Sequence, residues 1–393
     1  MAAPMESVSV KQISETKGKG LIARKSFKKG DVILEEKPVV CAQFSWNELY
    51  NYKACEFCLR SLEKAEKMAQ RLTGNTGVSL PHPECCQVDP SSFVQCPQCQ
   101  VVYCSPACRD AAFSLYHQVL CMGSSREDPA HPLAVLGETW RSFHYPPETA
   151  SIMLLAKMIA MIKQASDKGS VLSMFSGFIS HTVNQQEHIA HKLLGEKFKV
   201  QREVLREQLA AILYEEAAQE WFTPEGFNSL VALIGTNGQG IGSSSFSSWV
   251  KATEQLSLSE QDKAELDNTV DKLYNDMWEV SGQFLDCEGS GLYQLQSASN
   301  HSCAPNAEVS FPHGDHTLVM VALEDIEPEQ EINISYLSWC DLDIGRHSRH
   351  KALRENYLFQ CSCQMCISQA DDESCTSDDD EEEDMDDEYV DEN

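Results

Sequence analysis

Long apolar runs are missing from this sequence. It contains no run of about eighteen apolar residues, the length that a membrane-spanning helix needs. Its first residues, Met1–Val10, lack the basic segment and apolar core of a secretory signal. We therefore expect an intracellular, cytoplasmic protein that does not contact membranes. The lack of a strong basic localisation run leaves a nuclear share open.

Basic residues are also scarce. The sequence has 31 Lys and Arg against 60 Asp and Glu, which gives a formal net charge of -29. The segment 371–393 has fifteen Asp and Glu and no Lys or Arg, so it carries -15 of this charge and leaves -14 for the rest. Such a block cannot form a core, and it predicts a disordered tail that either keeps the protein soluble or attracts basic proteins. The same charge argues against binding to duplex DNA.

Cysteine, in contrast, is abundant, with 17 residues in all. Nine of them lie between Cys55 and Cys121, and four between Cys361 and Cys375. In an intracellular chain, such clusters at short spacing indicate zinc sites and not disulfides. The first cluster, together with one histidine, offers eight soft ligands, enough for two tetrahedral ions. They are Cys55, Cys58, Cys96, Cys99, Cys104, Cys108, His117 and Cys121.

A gap of 37 residues separates the first cysteine pair from the second. This gap contains His82, Cys85 and Cys86, which could compete for a place at the first zinc ion. We favour Cys55 and Cys58 for that place, because only they have the two-residue spacing of a zinc knuckle.

The second cluster supplies an incomplete site. Cys361, Cys363 and Cys366 leave a tetrahedral ion one ligand short. Cys303, which directly follows Asn300-His301-Ser302, is the candidate for the fourth ligand. The sequence therefore predicts three structural zinc ions.

Apolar periodicity predicts a chain that mixes strands with helices. Strands are expected on both sides of the Gly30-Asp31 turn within 17–37, at Thr317–Leu323 and at Glu331–Tyr336. The predicted helices are 148–165, 184–222, 259–284 and 346–357. The region of the second helix carries three histidines that we interpret as surface residues, His181, His188 and His191.

Two polar stretches predict irregular structure. Asn300–Asn306 is short and contains Pro305, which indicates a turn. Gly235–Gly242 has four glycines in eight residues. It lacks the Lys-Ser/Thr pair of a phosphate-binding loop and predicts a flexible turn between helices.

Two of these segments together resemble the signature of the SET-domain lysine methyltransferases. They are the turn Asn300-His301-Ser302-Cys303 and the strand that ends on Tyr336. The Gly18-x-Gly20 segment has the position that it has in SET domains, and the cysteine pairs before residue 121 resemble a MYND zinc finger. In this order, the sequence is identified as a member of the SET and MYND subfamily, and the resemblance covers residues 10–370.

The resemblance implies an α+β fold in which a β-rich SET domain is split by the zinc finger and by a helical insert. The expected parts are an N-terminal SET part at 1–50, the MYND finger with its long insertion at 51–121, a helical linker and SET insert at 122–284, the core SET part at 285–350, a zinc-binding post-SET segment at 351–369 and the disordered acidic tail at 370–393. Most members continue into a large C-terminal helical domain that walls the substrate groove. Their substrate specificity is therefore not carried over to this chain.

The resemblance also implies the site residues. Tyr336 is the expected catalytic residue, because it lines the lysine channel, and S-adenosylmethionine is the expected cofactor. The implied cofactor-binding residues are Lys17, Gly18, Lys19, Asn237, Asn300, His301, Tyr336 and Phe359.

The same resemblance implies how the metal ligands are shared. In the MYND pattern the pairs alternate, so that one ion binds Cys55, Cys58, Cys104 and Cys108 and the other binds Cys96, Cys99, His117 and Cys121. Post-SET segments close their zinc site with the cysteine that follows the Asn-His pair, so the third ion binds Cys303, Cys361, Cys363 and Cys366.

The first hypothesis is therefore a monomeric, S-adenosylmethionine-dependent protein-lysine N-methyltransferase that acts on a basic protein, such as a histone tail or a ribosomal protein. The alternative is a non-catalytic adaptor whose MYND finger binds proline-rich peptides. A thiol redox protein built on Cys-x-x-Cys pairs is a third hypothesis, which predicts reversible disulfides and no metal. The intact Tyr336 and Asn300-His301 favour the enzyme, because a decayed site would not need them.

Overall fold

A computed structural model describes residues 6–14, 17–86, 88–143, 151–178, 198–282, 285–357 and 359–370. The predicted mixture of strands and helices is confirmed. The strands are β1 (Val8–Ser14), β2 (Gly18–Ala23), β3 (Val32–Glu36), β4 (Val40–Gln43), β5 (Val94–Gln95), β6 (Val102–Tyr103), β7 (Gly238–Ser243), β8 (Cys287–Leu292), β9 (Asn300–His301), β10 (Ala307–Ser310), β11 (Leu318–Ala322) and β12 (Glu331–Ile334).

The α-helices are short except in the middle of the chain. They are α1 (Trp46–Leu49), α2 (Ala65–Leu72), α3 (Pro106–Ala112), α4 (Gln118–Leu120), α5 (Pro132–Phe143), α6 (Ile152–Gln164), α7 (Lys168–Ser176), α8 (Phe198–Leu213), α9 (Pro224–Asn237), α10 (Ser245–Thr253), α11 (Glu260–Ser281), α12 (Trp339–Leu342), α13 (Arg346–Tyr357) and α14 (Gln364–Ser368). A π-helical turn, Phe113–His117, joins α3 to α4.

The described strands form four sheets with the orders β1-β2-β12-β9, β10-β11-β3, β4-β8-β7 and β5-β6. In the first sheet, β12 lies between β2 from the start of the chain and β9. Ile332 pairs with Leu21, and Asn333 pairs with Asn300. The sheet order therefore brings the Gly-rich opening and the Asn-His segment to neighbouring strands.

One apolar core lies among these strands and another among the helices. Leu21, Met320 and Ile332 are fully buried in the core between the sheets. Residues 152–162 of helix α6 are nearly all buried and, apart from Lys157, apolar, which is typical of a buried helix. The turn Phe113–His117, strand β4 and helices α4, α5 and α8 pack against it, so it joins the cysteine-rich region to the rest of the molecule.

The long segment between the first two cysteine pairs folds away from them. Its helix α2 packs against α10 and α11 and forms a separate apolar cluster. Cys85 is buried in this cluster, and the Cys86 sulfur accepts a hydrogen bond from the Ala65 amide at 3.4 Å. His82 pairs with a neighbouring glutamate. Among the described residues, the group of ligand atoms formed by Cys55, Cys58, Cys104 and Cys108 includes none of these three side chains.

Both predicted irregular stretches are in part regular structure, which corrects the sequence analysis. Gly235–Gly242 is not a flexible turn, because helix α9 runs through Asn237 and strand β7 begins at Gly238. Strand β7 pairs with β8 along its whole length, so the region expected to be a helical insert contributes a strand as well as helices. Asn300 and His301 likewise form the short strand β9, because parallel pairing with β12 ties down their backbone.

Several predicted bounds are also corrected. The strand that was expected to reach Tyr336 ends at Ile334. The helix expected at 184–222 is α8 followed by a 3-10 segment, Glu216–Phe222, because the backbone of Glu215 between them is extended. The predictions for 148–150, for the acidic segment 371–393 and for 184–197 with two of the three histidines lie outside the described residues, as does the third histidine.

Within the described residues, no helix is both long and apolar enough to cross a membrane.

Candidate functional site

The segment Asn300–Asn306 is fastened to strand β12. Asn306 is 5% exposed, and both polar atoms of its side chain form hydrogen bonds with this strand. Its Oδ1 accepts a hydrogen bond from the Asn333 amide at 2.8 Å, and its Nδ2 donates to the Glu331 carbonyl at 2.9 Å. Because a buried amide side chain must be satisfied, these two bonds fix the loop in one position.

Strand β2 brings the Gly-rich opening to the other side of β12. Gly18 begins the strand with a φ of +72°, a conformation that favours glycine. The Asn300 Nδ2 donates to the Lys19 carbonyl at 3.0 Å and to Glu331 Oε1 at 2.8 Å. Lys17 Nζ lies 3.0 Å from the other carboxylate oxygen of Glu331. An ammonium, an amide and a carboxylate therefore meet in one network.

The His301 ring connects this network to Tyr336. The ring is buried, and its Nδ1 accepts a hydrogen bond from the Tyr336 backbone amide at 3.0 Å. We assign the ring proton to Nε2 for this reason, because Nδ1 acts as the acceptor. Nε2 lies 3.3 Å from the Cys303 sulfur. His301 thus links Tyr336 to a ligand of the third predicted zinc ion.

Tyr336 lies in an aromatic cluster. Its hydroxyl donates to the Ser299 carbonyl at 2.8 Å. Its ring centre is 5.0 Å from that of Tyr357 and 6.2 Å from that of Phe359, and Phe359 also contacts His301 edge to face. The Tyr357 hydroxyl donates to the Tyr336 carbonyl at 3.1 Å. Burial raises the pKa of the Tyr336 hydroxyl, so it remains protonated and acts as a donor.

Asn237 is placed differently from the other candidates. It is 4% exposed at the end of helix α9, and its Nδ2 donates to the Leu233 carbonyl of the same helix at 2.9 Å. Its side chain therefore stabilises the last turn of this helix. A role of Asn237 toward a cofactor stays a prediction.

The twelve candidate metal ligands come together in three groups of four. In each group the ligand atoms all lie within 4.8 Å of one another. The first metal set is Cys55, Cys58, Cys104 and Cys108, the second is Cys96, Cys99, His117 and Cys121, and the third is Cys303, Cys361, Cys363 and Cys366. Four sulfur or imidazole donors at this separation fit tetrahedral Zn²⁺. Their action as zinc ligands stays a prediction.

The first metal set is joined directly to the strands around the site. The Cys58 carbonyl accepts a hydrogen bond from the His316 amide at 2.8 Å. From helix α6, Lys157 pairs with the Glu56 carboxylate at 2.8 Å and donates to its carbonyl at 3.1 Å. Since His316 lies just before β11, the loop of this metal set connects the helical core to the sheets.

Sequence reasoning missed two residues of the site. Glu331 makes three of the polar contacts described above, and its signal was its place at the start of the tyrosine-bearing strand. Tyr357 packs on Tyr336, and its signal was its spacing of two residues before Phe359. Both are recognised only when β12, the Gly-rich opening and the segment around Phe359 are seen together.

The residues present fit S-adenosylmethionine. A zwitterionic amino-acid group needs a cation and hydrogen-bond partners, which Lys17, Asn300 and Glu331 offer within one network. An adenine ring needs an aromatic surface, and Phe359 offers one that is half-buried beside His301. The donor set thus matches both ends of the cofactor.

Comparison with known proteins gives the same result. A family model for the SET domain matches residues 18–337. Protein-lysine N-trimethyltransferase SMYD5 of Homo sapiens is 57% identical over 372 residues, which cover 95% of this chain and 89% of the human protein. The protein of the same name from Gallus gallus is 58% identical over 366 residues, or 93% of this chain and 87% of its own. Histone-lysine N-methyltransferase ASHR1 of Arabidopsis thaliana is 23% identical over 351 residues, 89% of this chain and 53% of its own. Because the SET model spans most of the sequence and the vertebrate proteins align along nearly all of it, this chain belongs to the SET-domain family and is a relative of the vertebrate SMYD5 proteins.

Proposed function

We propose that this chain is a protein-lysine N-methyltransferase that uses S-adenosylmethionine and acts on a basic protein, such as a histone tail or a ribosomal protein. One observation carries the proposal. Tyr336, Asn300-His301 and the opening Lys17–Lys19 come from distant parts of the chain and meet across strand β12. The names of the vertebrate relatives support three successive methyl transfers as the outcome.

The chemistry requires a neutral lysine amine as the nucleophile. Deprotonating a free lysine at pH 7 costs about 4–5 kcal/mol, because its pKa is near 10.4. The aromatic cluster of Tyr336, Tyr357 and Phe359 lowers this cost, since an apolar environment disfavours the ammonium. S-adenosylmethionine, when bound, supplies a methyl group on a sulfonium centre. Tyr336 then orients the amine, and alignment provides most of the rate enhancement.

The other residues have binding roles in this proposal. Lys17, Asn300 and Glu331 hold the amino-acid end of the cofactor, and Gly18 and Lys19 cover it with backbone. His301 holds the Tyr336 backbone in position through its Nδ1. Phe359 covers the adenine, and the third zinc ion fixes the segment that carries it. All three ions are structural, because four protein ligands leave no open position.

The division of the chain into parts belongs to the same proposal. The first two metal sets form a MYND finger within 51–121, with an insertion that packs on the helical insert at 122–284. We assign three ligands of the third metal set, Cys361, Cys363 and Cys366, to a post-SET segment at 351–369, and the fourth, Cys303, to the core SET part. We also propose a cytoplasmic location with a nuclear share for the whole chain.

Direct cofactor binding and transfer test the function. Calorimetry should show S-adenosylmethionine binding to the purified full chain. Core histones and ribosomal proteins should then accept labelled methyl groups on lysine, and mass spectrometry should count them. Asn300→Ala should weaken cofactor binding, whereas Asn228→Ala on helix α9, away from the network, should not. No detectable binding by the native chain would refute the proposal.

One observation favours an adaptor function beside the enzymatic one. A groove of about 1250 Å³ lies between the finger and helices α5 and α6. Its wall includes the apolar residues Phe93, Val101, Leu133 and Met153. Such a groove suits a proline-rich peptide, because the apolar wall can contact the proline rings. The peptide already has its extended conformation before binding, so it loses little conformational entropy. Fluorescence anisotropy with a labelled proline-rich peptide should show binding that Leu133→Glu abolishes; binding that persists in this variant would exclude the groove.

A further inference from the structure

A fully buried arginine lies beside the third metal set. Arg349 is on helix α13 and is 1% exposed. Its guanidinium is always charged at physiological pH and presents its donors as a rigid fork. Burying such a charge is unfavourable unless an opposite charge lies close by.

No carboxylate pairs with Arg349 among the described residues. The oxygen acceptors of its guanidinium are uncharged, namely the Ile344 carbonyl at 2.5 Å from Nη1 and Gln369 Oε1 at 2.6 Å from Nη2. Its Nε has no partner within the described part of the chain. The remaining contact is to sulfur, since Nη2 lies 3.8 Å from Cys366 Sγ.

The sulfur atoms of this set provide the missing negative charge when they bind zinc. Cysteine coordinates the ion as thiolate, so four thiolates around Zn²⁺ carry a net charge of about -2. The second metal set contains His117 and would carry only about -1. The third set is therefore highly charged and also buried, with Cys303, Cys361 and Cys366 nearly inaccessible.

We infer that Arg349 is the counter-cation of the third zinc ion and raises the zinc affinity of that site. The inference rests on the structural zinc ion proposed above. Arg349 acts through the thiolates and is therefore a positioning residue. The Nε2 proton of His301, which lies 3.3 Å from the Cys303 sulfur, compensates part of the same charge. Zinc retention at this site thus depends on groups that are not ligands.

Zinc release from the purified full chain tests the inference without reference to methyl transfer. A chelator is titrated against the wild type and Arg349→Met, and released zinc is counted with a metal-sensitive dye. N-ethylmaleimide then labels the cysteines that have lost their metal, and mass spectrometry locates them. We expect one of three zinc equivalents to be released from the variant at about 10–100-fold lower chelator concentration, the effect typical of groups that support metal ligands. Labelling should be confined to Cys303, Cys361, Cys363 and Cys366.

Two further variants separate charge from folding. Arg349→Lys keeps the charge and should retain the third zinc better than Arg349→Met. Arg354→Met removes an exposed arginine of the same helix and should behave as the wild type. If Arg349→Met does not fold, Arg349→Gln replaces it in the comparison with Arg349→Lys.

The outcomes distinguish this inference from the proposed function. The role of Arg349 would be overturned if Arg349→Met released zinc at the same chelator concentration as the wild type. It would also be overturned if Arg349→Lys and the neutral variant released zinc equally, or if labelling spread over all three metal sets. A wild type that holds only two zinc equivalents would remove the third ion itself. Cofactor binding, measured separately by calorimetry, decides the methyltransferase proposal independently.

Discussion

The phenol oxygen of Tyr336 is the atom on which the proposed chemistry depends most directly, and Tyr336→Phe removes only this atom. The hydroxyl donates to the carbonyl of Ser299, which is 1% exposed. The variant therefore leaves a buried acceptor unsatisfied at a cost of about 1–3 kcal/mol. In a chain of this size we expect the melting temperature to fall by roughly 1–2 °C for each kcal/mol. The fold should survive, because the ring keeps its contacts with Tyr357 and Phe359.

Activity should fall far more than stability. The ring alone cannot orient the amine, and misplacement of a reacting group by about 1 Å can cost about 100-fold in rate. We therefore expect Tyr336→Phe to transfer labelled methyl groups at least about 100-fold more slowly in a single turnover, with cofactor affinity within about twofold of the wild type. Tyr214→Phe, at a tyrosine that is 50% exposed, is the matched control. Transfer by Tyr336→Phe at the wild-type rate would refute the assignment of this residue.

Three further predictions concern groups around the site. Glu331→Gln should weaken S-adenosylmethionine binding by about tenfold, or about 1.4 kcal/mol in calorimetry, because Lys17 loses its ion pair. The control Glu329→Gln, which removes an exposed ion pair, should not change the affinity. If the two variants bind the cofactor equally well, the result argues against the network. Asn306→Ala should lower the free energy of unfolding by about 2–4 kcal/mol in urea titrations, because two buried hydrogen bonds are lost, and a change below about 0.5 kcal/mol would contradict their importance. Burial lowers the pKa of His316 to about 4, below its value of about 6.5 in the unfolded chain. The unfolded state therefore gains protons first on acidification, so stability is full above about pH 6.5 and falls by up to about 3 kcal/mol toward pH 4. His316→Gln should show a flatter dependence on pH, and an unchanged slope would exclude this histidine as the cause.

The metal sets could be predicted from the sequence because their information is local. A Cys-x2-Cys pair places both of its sulfur atoms at one site, and Cys58 and Cys99 each lie in the same metal set as the cysteine three positions earlier. The grouping of distant pairs required the family resemblance. The exclusion of Cys85 and Cys86 could not be predicted, because it depends on helix α2 packing against helices that lie far along the chain.

Strand β7 shows a different limit. Gly238–Ser243 has three glycines and low intrinsic strand propensity, so local rules favour a turn. Pairing with β8 overrides this preference. A Cβ at Gly238 would lie 2.5 Å from the Ile234 carbonyl oxygen, so this position needs glycine because the two backbone segments lie close together, and not because the chain is flexible there. Glu331 was missed for a similar reason, because its partners Lys17, Asn300 and Asn306 lie far from it in the sequence.

The pairing of β2 with β12 has a consequence for synthesis of the protein. Leu21 pairs with Ile332, so more than three hundred residues must be synthesised after Leu21 before these two strands can pair. Contacts of such sequence separation slow folding, and an unpaired strand edge invites aggregation in the meantime. The metal sets before residue 121 involve far shorter separations and can form much earlier. A nascent chain would therefore bring the cysteines of the first two metal sets together long before strand β12 can join β2 and β9.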